Sequence, residues 1–429
     1  MDAECSPALQ RKIVTAATDG RSYQQASRLL SDLADVDVST KQCQRVTQRI
    51  GRARVEQREE RREAFERLPL PEQRKPPDDA PANSWSGRVA VVLVDGGRAQ
   101  VRDERWGTPL QEGEKKRRWW REPKVAVAAT FLSRPHESDP LPEIPECLLD
   151  PLWVVPRINE IKRSRRKEPC EGESPGGAAP QGEAVLSEPS PSSPAASKPS
   201  AAIEPPPDSR SKHWSPPPLV KSVVATFGSY EQLGRLARVE AWQRGFDAAE
   251  RKAFLGDGHR SNWALRDQQF STYTPVTDLM HGLSYVYTAA VESASDMNAA
   301  WRRYRDWATA TWQGRIGDVL AELEPLVIAA DASAAEKLET CRTYLRNNAD
   351  RMQYDLYRQQ GLPITTTQIE SMIKRINPRM KGTEKFWEDD GESQLQLCAD
   401  RLSDTDPLKK FWADRAISQT GFCNRCASP

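Results

Sequence analysis

The stretch RVAVVLVDGG, residues 88–97, decides the fold class. Its run of β-branched and other apolar residues predicts a buried strand that ends at Asp95, before two glycines. Further candidate strands are Arg98 to Arg102 and KVAVAATFL, residues 124–132. Three strands in succession predict a meander, so the chain changes here from one structural class to another.

The residues before this stretch are predicted to be helical. One helix fits Ala8 to Thr18, and a second starts after Ser22. A third helix follows an N-cap at Ser39 and continues until Pro69 stops it. Residues 1–70 therefore form a helical region with a long third helix.

The third predicted helix carries polar and basic side chains opposite its apolar stripe. These side chains are Lys41, Gln42, Gln44, Arg45, Gln48 and Arg49. Gln and Arg can read base edges in a major groove, and Lys and Arg neutralise phosphates. With the short turn before it, this helix resembles the recognition helix of a helix-turn-helix. A solvated charged face explains the same pattern and stays open as an alternative.

A change of composition marks residues 157–218 as a linker. After the basic run KRSRRK, residues 162–167, the segment is dominated by Pro, Ser, Ala and Gly. Such a segment cannot bury enough surface to offset its ordering entropy, so it is predicted to be disordered. The linker divides the predicted sheet into residues 84–156 and residues 219–290.

Strands and helices alternate beyond the linker, and a helical block follows. The candidate elements are strands at Val223 to Phe227, Lys252 to Leu255 and Tyr273 to Leu279, and helices at Tyr230 to Arg251 and His281 to Ala290. Residues 291–360 are predicted to be helical, and residues 361–429 begin with a helix that contains Glu370. This order predicts an α/β fold, a mixed sheet with helices that carries an all-helical insertion.

Composition limits the classes of function. Hydrophobic residues make up 38% and charged residues 29% of 429, so a substantial part of the chain is expected to bury nothing. A net charge of +1 gives no global basic field, so a nucleic-acid site must come from local patches. No apolar run is long enough to span a bilayer. Cys423 and Cys426 form a single CxxC, which is weak evidence for zinc.

Three acidic residues occupy comparable positions in the predicted fold. Asp95 and Asp257 each follow a strand, and Glu370 lies in the first turns of a helix. Each also has a simple explanation. Asp95 before Gly96 suits a hairpin turn, Asp257 lies between two glycines, and Thr367 with Glu370 matches a capping box. If the three carboxylates converge, they offer the hard oxygen ligands that a pair of divalent cations requires.

Five blocks of sequence carry a family resemblance. They are ALQRKIVTAATDGRSYQQASRLL (8–30), VDGGRAQVR (94–102), FLGDGHRSNW (254–263), TDLMH (277–281) and the segment from YLRNN to RMKG (344–382). In this order they resemble bacterial insertion-sequence transposases of the ISKra type, distant relatives of the Mutator-like DDE transposases. The resemblance implies an RNase H-like core with the helical insertion before its last acid.

Carried over position by position, the resemblance assigns Asp95, Asp257 and Glu370 as catalytic acids that bind metal. Asp278 and His281 match an Asp-x-x-His motif, which makes His281 a catalytic residue outside the metal ligands and Asp278 its support. By spacing alone, His281 is better explained as a packed or capping residue, and the resemblance reverses this. The chain departs from the family at Thr365–Thr367, where relatives have a glycine-containing turn, and at His259, where they tend to have a small residue.

Two further groups are candidate DNA contacts. The run Lys115-Lys116-Arg117-Arg118-Trp119-Trp120-Arg121 combines positive charge with aromatic surface, which suits a distorted or single-stranded DNA end. A solvated loop fits this run equally well. Lys374 follows Glu370 by four residues on the same helix face, where it can contact the phosphate being cut.

The expected function is that of a DDE transposase that binds the ends of a bacterial insertion sequence, frees a 3′-hydroxyl and transfers it to target DNA. The resemblance implies two Mg²⁺ or Mn²⁺ ions, double-stranded DNA as partner, no small-molecule cofactor, no membrane, and a cytoplasmic, nucleoid-associated homo-oligomer. The Arg/Glu-rich helix from Arg52 to Leu68 is a candidate oligomer contact. Two alternatives remain: a non-catalytic, domesticated or decayed helix-turn-helix protein, and an RNase H-like nuclease that cuts without strand transfer.

Overall fold

The computed structural model describes residues 5–78, 80, 85–97, 99–100, 120–166, 214–381, 387 and 390–420. The chain divides into two compact units, one formed by Met1–Ile144 with Trp214–Pro429 and one formed by Pro145–His213. No helix in the described ranges combines the length and the apolar composition that a membrane crossing requires.

The first unit contains the sheet and most of the helices. The strands are β1 (Arg88–Gly96), β2 (Ala99–Gln100), β3 (Trp120–Arg121), β4 (Lys124–Leu132), β5 (Pro218–Thr226), β6 (Lys252–Gly256) and β7 (Thr274–Thr277). The helices of the whole chain are α1 (Pro7–Asp19), α2 (Tyr23–Ala34), α3 (Thr40–Glu66), α4 (Leu70–Gln73), α5 (Pro151–Arg166), α6 (Tyr230–Gln243), α7 (Arg260–Gln269), α8 (Leu279–Glu292), α9 (Met297–Trp312), α10 (Ile316–Ala329), α11 (Ala332–Asn348), α12 (Tyr354–Gln359), α13 (Thr367–Met380), α14 (Gly391–Leu402) and α15 (Pro407–Thr420). Short 3-10 turns lie at Glu146–Leu149, Phe246–Ala248 and Ala349–Arg351.

Five strands form one mixed sheet in the order β5-β4-β1-β6-β7. β4 runs antiparallel to both of its neighbours, whereas β1, β6 and β7 are mutually parallel. The predicted α/β class with a mixed sheet is therefore confirmed. The predicted meander is wrong. β1 pairs with β4 on one edge and with β6 on the other, so the strand that follows β1 in sequence cannot pair with it. Of Arg98 to Arg102, only Ala99–Gln100 is a strand in the described part, and it pairs with β3.

The composition of β1 follows from its central position. Val89 to Val94 are all fully buried, because both edges of the strand are paired and both faces are covered. On one face, the even-numbered residues of β1 pack with Leu233 of α6 and with Phe254 and Trp263. A strand buried on both faces is a continuous apolar run, as RVAVVLV is.

The three predicted N-terminal helices are confirmed as α1, α2 and α3. Their core is shared with the C-terminal helices, since Ile13 and Ile50 pack in one cluster with Leu397 of α14 and Trp412 of α15. A buried ion pair joins the same elements: Arg54 Nε lies 2.8 Å from Asp400 Oδ2, and both side chains are 3% exposed. Residues 1–70 therefore complete their core with residues distant in sequence.

The second unit contains the 3-10 turn at Glu146–Leu149 and α5 in its described part. α5 extends to Arg166, which corrects the predicted start of the linker at residue 157. The helix continues because Val154 and Ile158, four residues apart, are both buried. The linker prediction for residues 167–213 lies outside the described residues.

Residues 219–290 and the segments after them follow the predicted alternation with shifted bounds. α6 ends at Gln243 rather than Arg251, because Gly245 adopts φ +68° and the chain turns into the 3-10 turn at Phe246–Ala248. Four helices, α9 to α12, lie between α8 and α13 where the helical insertion is predicted.

Candidate metal centre

Three aspartates lie side by side where three parallel strands end. Asp95 belongs to β1, and the observed registers, continued by one or two residues, place Asp257 between Asp95 and Asp278. The backbone N–H of Asp278 donates to Gly256 O at 2.8 Å, which extends the β6–β7 ladder to this point. Adjacent strands lie about 4.8 Å apart, so the backbones of the three aspartates are neighbours in the sheet.

Asp95 is partly buried in a negatively charged environment. Its Oδ1 accepts the backbone N–H of Gly96 at 2.7 Å. Burial, together with the charges of Asp257 and Glu370, raises the pKa of Asp95 to about 8, although His281 and the Gly96 N–H act in the opposite direction. The hairpin-turn explanation is wrong, because β1 pairs with β4 through Asp95 itself. Asp95 is instead the last side chain of β1 before Gly96, next to Asp257.

Asp257 combines a turn with an available carboxylate oxygen. Its Oδ1 accepts both the His259 N–H at 2.9 Å and the Asn262 amide at 2.8 Å. Gly258 adopts φ +94°, a conformation that side-chain-bearing residues rarely adopt. No hydrogen bond reaches Oδ2 from the described residues. The turn interpretation is correct, and the turn also presents Oδ2 at the sheet edge.

Asp278 is the N-cap residue of α8 and is 1% exposed. Its Oδ2 accepts the backbone N–H of His281 and lies 2.8 Å from His281 Nδ1, while Oδ1 accepts the Thr366 N–H at 2.6 Å. Burial acts to raise the pKa of Asp278, but the His281 hydrogen bond and charge and these N–H donors outweigh it and lower that pKa. Asp278 therefore holds the His281 ring in place through its contact with Nδ1.

Glu370 lies in the first turn of α13, close to this pair. One ligand atom each of Asp278, His281 and Glu370 lies within 4.8 Å of the others. The predicted capping box is wrong, because the N-cap residue is Thr366 and its backbone N–H bonds to Asp278. The hydroxyl of Thr367 bonds to that of Thr365 at 3.1 Å. Glu370 instead accepts the hydroxyl of Thr366, the N-cap residue, at 3.4 Å.

Glu122, which the sequence did not indicate, lies near the same edge. An added Cβ on Gly96 would be 1.9 Å from Glu122 Oε1, and Tyr230 OH donates to Oε1 at 3.3 Å. Burial raises the pKa of Glu122; Lys124 opposes this, and the charge of Asp257 adds to it. Glu122 precedes β4, and the antiparallel pairing of β4 with β1 brings it to the end of β1. A correct prediction of that pairing would have identified it.

The predicted DNA contacts fall into three groups. On α3, Lys41, Arg45 and Arg49 are exposed and Gln44 is partly exposed, whereas the amides of Gln42 and Gln48 donate to Cys5 Sγ and Asp390 Oδ2. Lys374 is exposed on α13, one turn beyond Glu370. The basic run from Lys115 through Lys116 and Arg117 to Arg118 lies outside the described residues.

Asp95→Asn is expected to stabilise the protein in EDTA in a pH-dependent way. Because the folded-state pKa of Asp95 is raised to about 8, wild-type stability decreases as the pH rises from about 4 to about 8. The asparagine variant lacks this loss, so its advantage in unfolding free energy grows by about 1.4 kcal/mol per pH unit between these values, to at most about 5–6 kcal/mol above pH 8. Thermal or urea unfolding of both proteins from about pH 5 to about pH 9 measures this difference. Parallel pH profiles for the two proteins would contradict the environment described for Asp95.

The donor set suits a hard divalent cation. Asp95, Asp257 and Glu370 supply carboxylate oxygens. The pKa of Asp95 is raised first by burial and then by the charge of Asp257, and a bound cation would lower it. The chain matches no protein-family model and no curated protein at a significant level.

Proposed function

We propose that this chain is a DDE-type DNA transposase that cleaves and transfers DNA strands at the edge formed by Asp95, Asp257 and Glu370. The observation that carries the proposal is the adjacent placement of Asp95 and Asp257 at the ends of parallel strands. Glu370, on α13, lies in ligand range of Asp278 and His281, and its charge also acts on Asp95. The strand order β5-β4-β1-β6-β7, with β4 antiparallel, supports an RNase H-like core.

Asp95, Asp257 and Glu370 would hold two Mg²⁺ or Mn²⁺ ions, with Asp257 contributing its available Oδ2. When bound, such ions activate an oxygen nucleophile and stabilise the leaving oxygen of a phosphodiester. His281, which Asp278 holds through Nδ1, would transfer protons beside Glu370. Lys374, exposed on the helix that carries Glu370, would contact the phosphate being cut.

DNA binding is assigned to the basic stripe of α3, defined by Lys41, Arg45 and Arg49. The three side chains are spaced four residues apart and exposed, so they follow one face of the helix. Joining two element ends requires two active sites, so a homo-oligomer in the bacterial cytoplasm, associated with the nucleoid, belongs to the proposal.

Replacing Lys41, Arg45 and Arg49 together by alanine is expected to weaken DNA binding and its dependence on salt. Removal of one phosphate-binding side chain lowers the slope of log K against log salt by about 0.9, so the total change is about 3. Fluorescence anisotropy with a labelled duplex at several salt concentrations measures both quantities. Arg67→Ala, at the other end of α3 with its side chain 77% exposed, is the control and should leave the slope unchanged. An unchanged slope in the triple variant would remove α3 as the DNA-binding helix.

The proposed function is tested with a labelled duplex that carries the inverted repeat flanking the gene, incubated with a plasmid in Mg²⁺ or in EDTA. A transposase gives Mg²⁺-dependent joined product. Cleavage without joining would replace the proposal by a structure-specific nuclease. Specific binding without cleavage would replace it by a non-catalytic DNA-binding protein.

A further inference from the structure

Helix α11 of the helical insertion reaches the turn that carries Asp257. The hydroxyl of Tyr344 donates to the backbone carbonyl of Asp257 at 2.7 Å. The Tyr344 ring stacks on Tyr285, with ring centroids 3.6 Å apart and planes 15° from parallel. An added Cβ on Gly258 would be 2.5 Å from the Tyr344 oxygen, so the backbone of the turn lies directly against this ring. The tyrosine is thus fixed on one side by stacking and bonded to the turn on the other.

One helical turn further, Asn348 holds the elements beside this turn. Its side chain is 2% exposed, and its Oδ1 accepts Trp263 Nε1 at 2.9 Å and the Thr277 hydroxyl at 3.4 Å. Its Nδ2 donates to Tyr344 O at 3.0 Å. Asn348 therefore ties α7, which follows the turn, to the end of β7. These bonds hold α11 next to the strand ends. The position of the Tyr344 hydroxyl relative to the Asp257 carbonyl is therefore fixed by the packing of α11.

We propose that Tyr344 is a positioning residue that fixes the Asp257 peptide and thereby directs Asp257 Oδ2 toward the metal centre. This inference rests on the proposed function. The His259 backbone N–H and the Asn262 amide hold Oδ1 of Asp257, and the Tyr344 hydroxyl is the group that holds the carbonyl of the same residue. Metal ligands must be held within about half an ångström of the productive geometry, so rotation of this peptide lowers metal affinity. The helical insertion accordingly acts as a structural support of the metal centre.

The test compares Tyr344→Phe with Tyr357→Phe. The first variant removes one hydroxyl and keeps the ring that stacks on Tyr285. The matched control removes the hydroxyl of Tyr357, which donates to Pro275 O at 3.1 Å, two residues before the end of β7. Two readouts are used: hydrogen exchange of the backbone amides of residues 257–262 without metal, and Mn²⁺ affinity measured by electron paramagnetic resonance without DNA.

Tyr344→Phe is expected to accelerate amide exchange at His259 and to weaken Mn²⁺ binding, each by about fivefold, the contribution of one hydrogen bond. Tyr357→Phe should leave both quantities at wild-type values. Unchanged exchange and affinity in Tyr344→Phe would overturn the positioning role, and so would equal effects in the two variants. If wild type and Asp257→Asn bind Mn²⁺ equally, the proposed function fails, whereas the exchange measurement still tests whether Tyr344 holds the turn.

Discussion

Asp257→Asn is expected to lower the rate of Mg²⁺-dependent DNA cleavage by about a thousandfold, because the charged Oδ2 at the centre of the carboxylate row is lost. Asparagine retains an oxygen that can accept the N–H of His259 at the position of Oδ1. The turn and the fold are therefore preserved, and the loss reports on the missing ligand. The measurement is the initial cleavage rate of a labelled duplex at saturating protein.

Asp267→Asn is the matched control for this variant. Asp267 lies ten residues further along, on α7, where its side chain is 63% exposed and paired with Arg266. Its replacement removes the same charge from the same part of the protein without touching the sheet edge. Cleavage by Asp267→Asn should equal that of wild type. Wild-type cleavage by Asp257→Asn would show that this carboxylate takes no part in the chemistry.

Asp400→Asn is expected to destabilise the folded protein by about 3–5 kcal/mol, because it leaves the Arg54 guanidinium buried without a compensating charge. Arg54 donates to both carboxylate oxygens of Asp400, at 2.8 and 3.1 Å, and Gln396 adds a third bond at 2.8 Å. The pair joins the long N-terminal helix α3 to α14. Urea unfolding followed by circular dichroism gives the change in free energy of unfolding.

A second pair between N- and C-terminal helices provides the control. Arg401 and Asp19 also form a two-bond pair, but their side chains are 36% and 51% exposed. Exposed pairs of this kind contribute at most about 1 kcal/mol, so Arg401→Ala should have a small effect. If Asp400→Asn were equally mild, the buried Arg54–Asp400 pair would not be a main contact between α3 and α14.

The individual helices and strands of this fold were predictable, because short stretches of sequence determine where each of them begins and ends. Ser22 and Ser39 each accept a backbone N–H two or three positions into the next helix, as N-cap residues do. The apolar run within residues 88–95 is likewise a local signal, and it predicted a buried strand. The turn at Asp257 was predictable, since the glycines on either side permit it.

The long-range arrangement was not predictable from such signals. The pairing of β1 with β4 depends on which strand edge is open, and therefore the hairpin at Asp95 and the meander were predicted wrongly. Glu122 reaches the site only through that pairing. The same applies to Tyr344, whose hydroxyl meets a carbonyl 87 residues away in sequence. The role of α14 as the partner of the N-terminal helices likewise arises from tertiary packing.

The central claim is that carboxylates at the ends of β1 and β6 bind divalent cations. Its most direct test is a Mn²⁺ titration of wild type and Asp95→Asn, followed by electron paramagnetic resonance without DNA. The titration is carried out above pH 8, where wild-type Asp95 is ionised. Wild type should bind Mn²⁺ at least about tenfold more tightly than Asp95→Asn, because the variant loses a charged oxygen ligand. Identical binding curves for the two proteins would contradict a metal centre at this edge of the sheet.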